Sequence, residues 1–270
     1  MSIFSELFEY SFMIRAVIAG ILVSLCSSLL GVSLVLKRYS MIGDGLSHVS
    51  FGALAIAAAL NTAPLAVSIP LVIIAAFFLL RITESGSMRG DAAIAVFSSS
   101  SLAIGIIVTG LTTGITTDVC NYMFGSVLAM SRTDVYISVI LSFAVLALFV
   151  VFYNRIFAVT FDEPFSRATG VRVDLYNSAL AVLTAVTIVL GMRIMGALLI
   201  SSLIIFPALS AMRVCRYFKG VIICAAVIST VCFFIGICAS FYLEIAVGAS
   251  VVIANLIVFI TFSLAARLRR

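Results

Sequence analysis

The sequence predicts an all-α integral membrane protein, a polytopic helical bundle of about nine transmembrane helices with its N-terminus outside and its C-terminus inside. Three observations carry that expectation. Of the 270 residues, 64% are apolar and only 10% charged, with a mean hydropathy of +1.32. Soluble domains carry nearer a quarter charged residues and do not expose this much apolar surface. Apolar runs of the roughly 20 residues that a bilayer crossing needs recur along the whole chain, and the basic residues between them alternate from side to side.

Taken in order, the runs between polar breaks give spans at 12–36, 41–60, 64–80, 91–111, 133–153, 174–191, 194–212, 219–240 and 245–266. The connections are too short for a soluble domain, so residues 1–270 read as one membrane domain. Acidic residues sit at predicted span ends: Glu84, Asp91, Asp118, Asp134, Asp162, Glu163, Asp174 and Glu244. Gly31, Gly43, Gly45, Gly52 and the alanine-rich stretch 53–59 give smooth faces for close helix approach. Ser98 to Ser101 in the fourth span read as hydroxyls bonded back to their own helix. Pro207 removes a backbone hydrogen bond from the seventh span and is expected to kink it. Residues 112–131, interrupted by Gly, Thr and Asn, read either as an outer loop or as a short re-entrant or interfacial helix.

Orientation follows from the bias of basic residues toward the inner side. With the N-terminus outside, the inner segments hold Lys37 and Arg38; Arg81 and Arg89; Arg155, Arg167 and Arg172; Arg213, Arg216 and Lys219; and Arg267, Arg269 and Arg270. These are thirteen of the sixteen basic residues, and only Arg15, Arg132 and Arg193 fall outside. The net charge of +5 is therefore a record of topology. It is not a nucleic-acid footprint, which would cluster on one face. The first apolar run is too long for a signal peptide, and no leader is expected. The six cysteines (Cys26, Cys120, Cys215, Cys224, Cys232, Cys238) lack CxxC spacing and lie mostly within apolar runs. They read as small buried hydrophobes.

The longest inner connection, about 154–173, mixes both charge signs with Phe157, Phe161 and Phe165 and is punctuated by Pro164 and Gly170. A simple connection needs only a few residues. This one has the length and amphipathic character of a docking surface.

Ionisable groups inside spans are costly and are functional candidates by default. The second span carries Asp44 and, four residues on, His48, the only histidine in the chain. Positions i and i+4 share one helical face, with Ser47 beside them. A carboxylate and an imidazole one turn apart can ligate a borderline cation such as Zn²⁺ or Mn²⁺. They can equally form a structural hydrogen bond or a proton relay. As metal ligands they are only two, so the remaining donors must come from water, carbonyls, a second subunit or a partner protein.

The chain has two lysines, Lys37 in VLKRY and Lys219 in YFKGV, and neither completes a P-loop. Metallopeptidase and nucleophile-elbow motifs are also missing. Energy for uphill transport must then come from another subunit or from an ion gradient.

The run LVLKRYSMIGDGLSHVSFGALAIA resembles the signature of permease subunits of bacterial ATP-binding-cassette (ABC) importers for zinc and manganese. FAVTFDEPFSRATGVRVDLYN and MRIMGALLISSLIIFPALSAMRV agree with two further stretches of that family, in the same order. Pro164 and Phe165 depart from its usual cytoplasmic segment. The resemblance implies that Asp44 and His48 coordinate the passing metal. It further implies that Phe161, Asp162, Glu163, Phe165, Arg167 and Gly170 belong to the loop that couples to an ABC ATPase subunit. It implies a homodimer in the plasma membrane of a bacterium, surrounded by lipid, supplied by an extracytoplasmic metal-binding protein and holding no permanent cofactor. ATP hydrolysis is expected in the partner subunit and not in this chain. Zinc is the expected cargo. Manganese or iron, an ion-coupled secondary carrier and a non-transporting membrane scaffold are the alternatives.

Overall fold

In hydrocarbon a backbone N–H or C=O has no water to bond, so a long apolar run satisfies itself by closing into a helix. The computed structural model describes residues 11–84, 90–112 and 131–268, and every regular element among them is helical. In chain order these are α1 (Ser11–Leu36), α2 (Ile42–Ala59), α3 (Pro64–Glu84), α4 (Gly90–Leu111), α5 (Arg132–Val151), α6 (Tyr153–Phe161), α7 (Glu163–Ala168), α8 (Val173–Met195), α9 (Ala197–Val214), α10 (Phe218–Leu243) and α11 (Val247–Leu268). Nine of the described helices are long and apolar enough to span a membrane, all except α6 and α7. The predicted spans match them to within four residues at every end. The stretch left open at 112–131 lies, but for its first and last residues, outside the described residues, as do Asp118 and Cys120.

Burial divides the bundle. α1, α2 and α8 are enclosed over most of their length, whereas α4 and α11 lie largely open. The buried aliphatic core runs between them through Val23, Leu46, Leu79, Ile188 and Leu203. α2 and α4 lie parallel and approach closely at glycines. A Cβ on Gly45 would meet Ile94 at 2.6 Å, and one on Gly52 would stand 2.7 Å from the Ser101 carbonyl oxygen. Both contacts join residues 49 apart, so the register is constant along the seam.

The helix junctions explain where the sequence reading shifts. α8 and α9 are separated by Gly196 alone, at φ 86°, a conformation that costs glycine nothing and side-chain-bearing residues a great deal. The break predicted near residue 192 therefore falls at Gly196, and Arg193 lies inside α8 and not in a loop. Pro207 sits inside α9, which remains one helix through it. Ser100 bonds back to the Val96 carbonyl, as read from the sequence. The five described cysteines form no disulfide.

Candidate functional site

α2 begins with Ile42-Gly43-Asp44 and packs against α3, α4, α8 and α9. From Ile42 to Ala55 every residue is buried except Asp44 and His48. The glycines at 43, 45 and 52 account for much of this, because they let neighbouring helices close on the faces they occupy. What remains open is the single face bearing the carboxylate and the imidazole. The Asp44 side chain is 42% exposed and that of His48 24%. His48 Nε2 lies 3.8 Å from Asp44 Oδ2, too far for a hydrogen bond. Two donors each about 2.0–2.1 Å from a tetrahedral zinc stand roughly 3.3 Å apart, so a small rotamer adjustment brings this pair to ligand spacing. Ser47 is not part of the face. It is buried, and its hydroxyl donates to the Asp44 carbonyl at 2.7 Å. Among the described residues no group of three or more His, Cys, Asp or Glu side chains gathers. On this face, then, Asp44 and His48 bring two potential donor groups together.

The connection at 154–173 is mostly helical. α6 is a nine-residue helix ending at Phe161, and Asp162 caps α7 by accepting from the Phe165 N–H at 2.9 Å. Glu163 opens α7, Pro164 follows in its first turn, Arg167 lies in its last turn, and Gly170 at φ 80° terminates the segment. Proline is well placed there, since the first helical N–H groups have no intrahelical partner. α6 is held to the bundle by rings: Phe157 and Phe161 lie 5.0 and 5.6 Å from the buried Phe218 of α10. Phe161 and Phe165 are nonetheless 58% and 64% exposed. Arg167 pairs with Asp174 at 2.5 Å, but both side chains are more than half exposed, so the pair adds little stability.

Two polar junctions escaped the sequence reading, one buried and one open to solvent on its Glu163 side. At the end of the bundle away from α6 and α7, Arg193 of α8 contacts Asp134 of α5 at 3.2 Å, with side-chain exposures of 12% and 11%. Asp134 also accepts from the Ser131 N–H at 3.2 Å in a capping box. At the opposite end Lys37 donates to Glu163 Oε1 at 2.5 Å and to Asn177 Oδ1 at 2.6 Å. Burial pushes the Glu163 carboxyl up, but Lys37 together with Asn177 and Arg167 outweighs it and holds the group below its ordinary value. The Ser-x-x-Asp spacing at residues 131–134 was a legible signal for the cap, whereas nothing local marks Arg193 or Asn177 as partners.

The model of the ABC 3 transport family matches residues 9–266. The high-affinity zinc uptake system membrane protein ZnuB of Haemophilus influenzae is 29% identical over 251 residues, covering 93% of this chain and 96% of that protein. The manganese transport system membrane protein MntC of Halalkalibacterium halodurans is 27% identical, covering 93% of this chain and 86% of that one. In the solved structure of PsaBC from Streptococcus pneumoniae in complex with Fab, one chain superposes with a TM-score of 0.87 at 27% identity, covering 96% of this chain and 94% of that chain.

Proposed function

The chain belongs to the ABC 3 transport family, and from that premise we propose that it is the zinc-conducting permease of an ATP-driven importer. The nine apolar helices among the described residues, and its relatives, make it a multi-pass protein of the bacterial plasma membrane. The observation that carries the proposal is the open face of α2, where Asp44 and His48 alone escape burial between Ile42 and Ala55.

Ionisable side chains within a span are costly in hydrocarbon and so face the bundle interior or a water-filled path, where they mark routes for ions. Zinc takes four ligands, commonly of these types. A second copy of the chain, related by a two-fold axis, would present the same pair and complete a tetrahedral set. Water in place of one donor would leave the site weak enough to release its ion. The metal is cargo, and a half-site on each copy allows it to enter and leave as the copies rearrange.

No lysine of the chain completes a phosphate-binding loop, so the driving subunit is separate. Its dock is α6–α7, where Phe161 and Phe165 stand exposed next to Asp162, Glu163 and Arg167. That end also carries most of the basic residues, which supports an orientation with α7 and the C-terminus cytoplasmic. The extracytoplasmic metal-binding protein would then deliver at the opposite end, on the side of Gly196. Zinc is preferred over manganese on the likeness of FAVTFDE and MRIMGALLISSLIIFPALSAMRV to zinc permeases, while the matched relatives include both a zinc uptake protein and a manganese transport protein.

The test is radioactive zinc uptake in cells lacking their own high-affinity importer and expressing this chain with its ATPase and binding protein. Asp44→Asn and His48→Ala are each expected to lower uptake by about tenfold or more. Uptake that persists without the ATPase would establish a secondary carrier instead. Asp44-dependent manganese uptake with no zinc uptake would keep the architecture and change the cargo.

A further inference from the structure

Lys37 lies one residue beyond α1 and five before α2, and its side chain is only 6% exposed. A buried lysine that served topology alone would extend toward the water at the helix end. Instead its Nζ reaches two elements distant in sequence, Glu163 on α7 at 2.5 Å and Asn177 on α8 at 2.6 Å. Asn177 Nδ2 closes the figure by donating to the same Glu163 Oε1 at 3.2 Å. Three elements thus meet in one hydrogen-bonded triangle. All three edges involve a charged group, and such bonds are about twice as strong as neutral ones.

The turn that carries Lys37 is stiff. Lys37, Arg38 and Tyr39 donate their N–H groups to Ser33, Val35 and Leu34 at 3.0, 3.1 and 2.8 Å, and Ile42 donates to Tyr39 at 3.0 Å. Arg38 sits at φ 62°, a left-handed conformation that only a well-held turn sustains. A displacement of Lys37 is therefore passed directly to the first turn of α2, where Asp44 lies seven residues on. A cavity of about 20 Å³, lined by Leu34, Lys37, Tyr39, Ile42, Leu46 and Asn177 among others, adjoins the turn. It gives this junction room that the surrounding close-packed core lacks.

Stability alone is a poor explanation for the triangle, because the Glu163 side chain is 40% exposed and solvent-screened pairs contribute little. A polar junction differs from an apolar one in having discrete made and broken states. We propose that the Lys37–Glu163–Asn177 triangle is the link by which movement of α7 reaches the metal-bearing turn of α2, making Lys37 and Asn177 positioning residues of the transport cycle. This rests on the reading of α7 as the docking helix of an ATPase.

The test compares zinc transported per ATP hydrolysed by the reconstituted permease–ATPase complex in wild type, Lys37→Met, Asn177→Leu and the exchange Lys37→Glu with Glu163→Lys. Each single variant is expected to carry about tenfold less zinc per ATP, with the ATPase still co-purifying, and the exchange is expected to recover most of the ratio. An unchanged ratio would overturn the link, as would transport and hydrolysis falling in proportion as the ATPase is lost. Hydrogen exchange of the α2 amides at 42–46 gives a second readout that does not need transport. Lys37→Met is expected to raise it, and equal exchange in wild type and variant would refute the link whatever the flux. A wild-type complex with no ATP-dependent metal flux, but with that exchange difference, would overturn the proposed function and leave the link standing.

Discussion

Asp134 and Arg193 offer the most direct test of how the bundle is held at the end opposite α7. Their closest atoms are 3.2 Å apart and both side chains are about nine-tenths buried. At an effective dielectric of about 20, a unit pair at that distance attracts by roughly 5 kcal/mol. Desolvation consumes much of this, so the pair's net worth against an apolar substitute is small. Removing one partner is a different perturbation, since it strands the other charge and costs about 3–5 kcal/mol. Asp134→Ala also deletes the acceptor for the Ser131 N–H, adding about 1 kcal/mol for the damaged cap. At roughly 2–4 °C per kcal/mol for a chain of this size, Asp134→Ala should lower the apparent melting temperature in detergent by about 10–20 °C. Arg193→Met should do nearly as much. The double variant Asp134→Leu with Arg193→Met should return to within about 2 kcal/mol of wild type, because no buried charge is left alone. Fluorescence-detected size exclusion after graded heating measures all four proteins. Arg193→Met melting with the wild type, or a double variant as damaged as the sum of its parts, would refute the reasoning.

Two further outcomes follow from the geometry. Gly52→Val should push α2 off α4, because its Cβ would lie 2.7 Å from a backbone oxygen that cannot rotate away, at a cost of about 1–3 kcal/mol or more. Gly110→Ala, with nothing within 4 Å of the new Cβ, should be neutral or gain up to about 1 kcal/mol; equal heat stability of the two variants would contradict the seam. The Glu163 carboxyl, held low chiefly by Lys37 against the opposing effect of burial, is lower in the folded than in the unfolded chain. Its contribution is therefore present above the ordinary glutamate range and disappears as pH falls through the depressed folded value. Hydrogen exchange across α7 should stay flat from neutral pH down to about the ordinary glutamate pKa, once corrected for intrinsic rates, and rise below it. Glu163→Gln should abolish that dependence; an identical profile in the variant would place the titration elsewhere.

The spans were legible because a single requirement, an apolar run long enough to cross hydrocarbon, overrides local propensity, and nine described helices meet it. Asp44 and His48 stand out as candidates for a related reason, since ionisable residues are rare within apolar runs. Their nearness at 3.8 Å follows from helix geometry. The polar junctions were not legible. Asp134 and Arg193 are 59 residues apart, and Lys37 and Asn177 are 140 apart. Only the packing of α5 on α8, and of the α1–α2 turn on α8, brings them together. Read locally, Arg193 looked like a charge in an outer loop and Lys37 like a marker of sidedness. The segment at 154–173 reads as a loop by hydropathy, yet its aromatic stripe and the Asp162 cap make it two short helices.

The seam between α2 and α4 has a mechanical consequence. Most helix pairs interlock through side chains, and to move one along the other each knob must be lifted from its hole. Here Gly52 sets backbone against the Ser101 carbonyl, while Ile94 seats its side chain on Gly45 and Phe51 seats its ring on Gly105, so each helix offers glycine sockets to the other. An axial slip of α2 must lift only these few side chains from glycine sockets, whereas α8 is pinned near both ends by polar contacts, Asn177 with Lys37 and Arg193 with Asp134. The helix that carries Asp44 and His48 thus lies beside a partner held at both ends, and a shear between the two would shift that pair relative to α8 without unpacking the bundle.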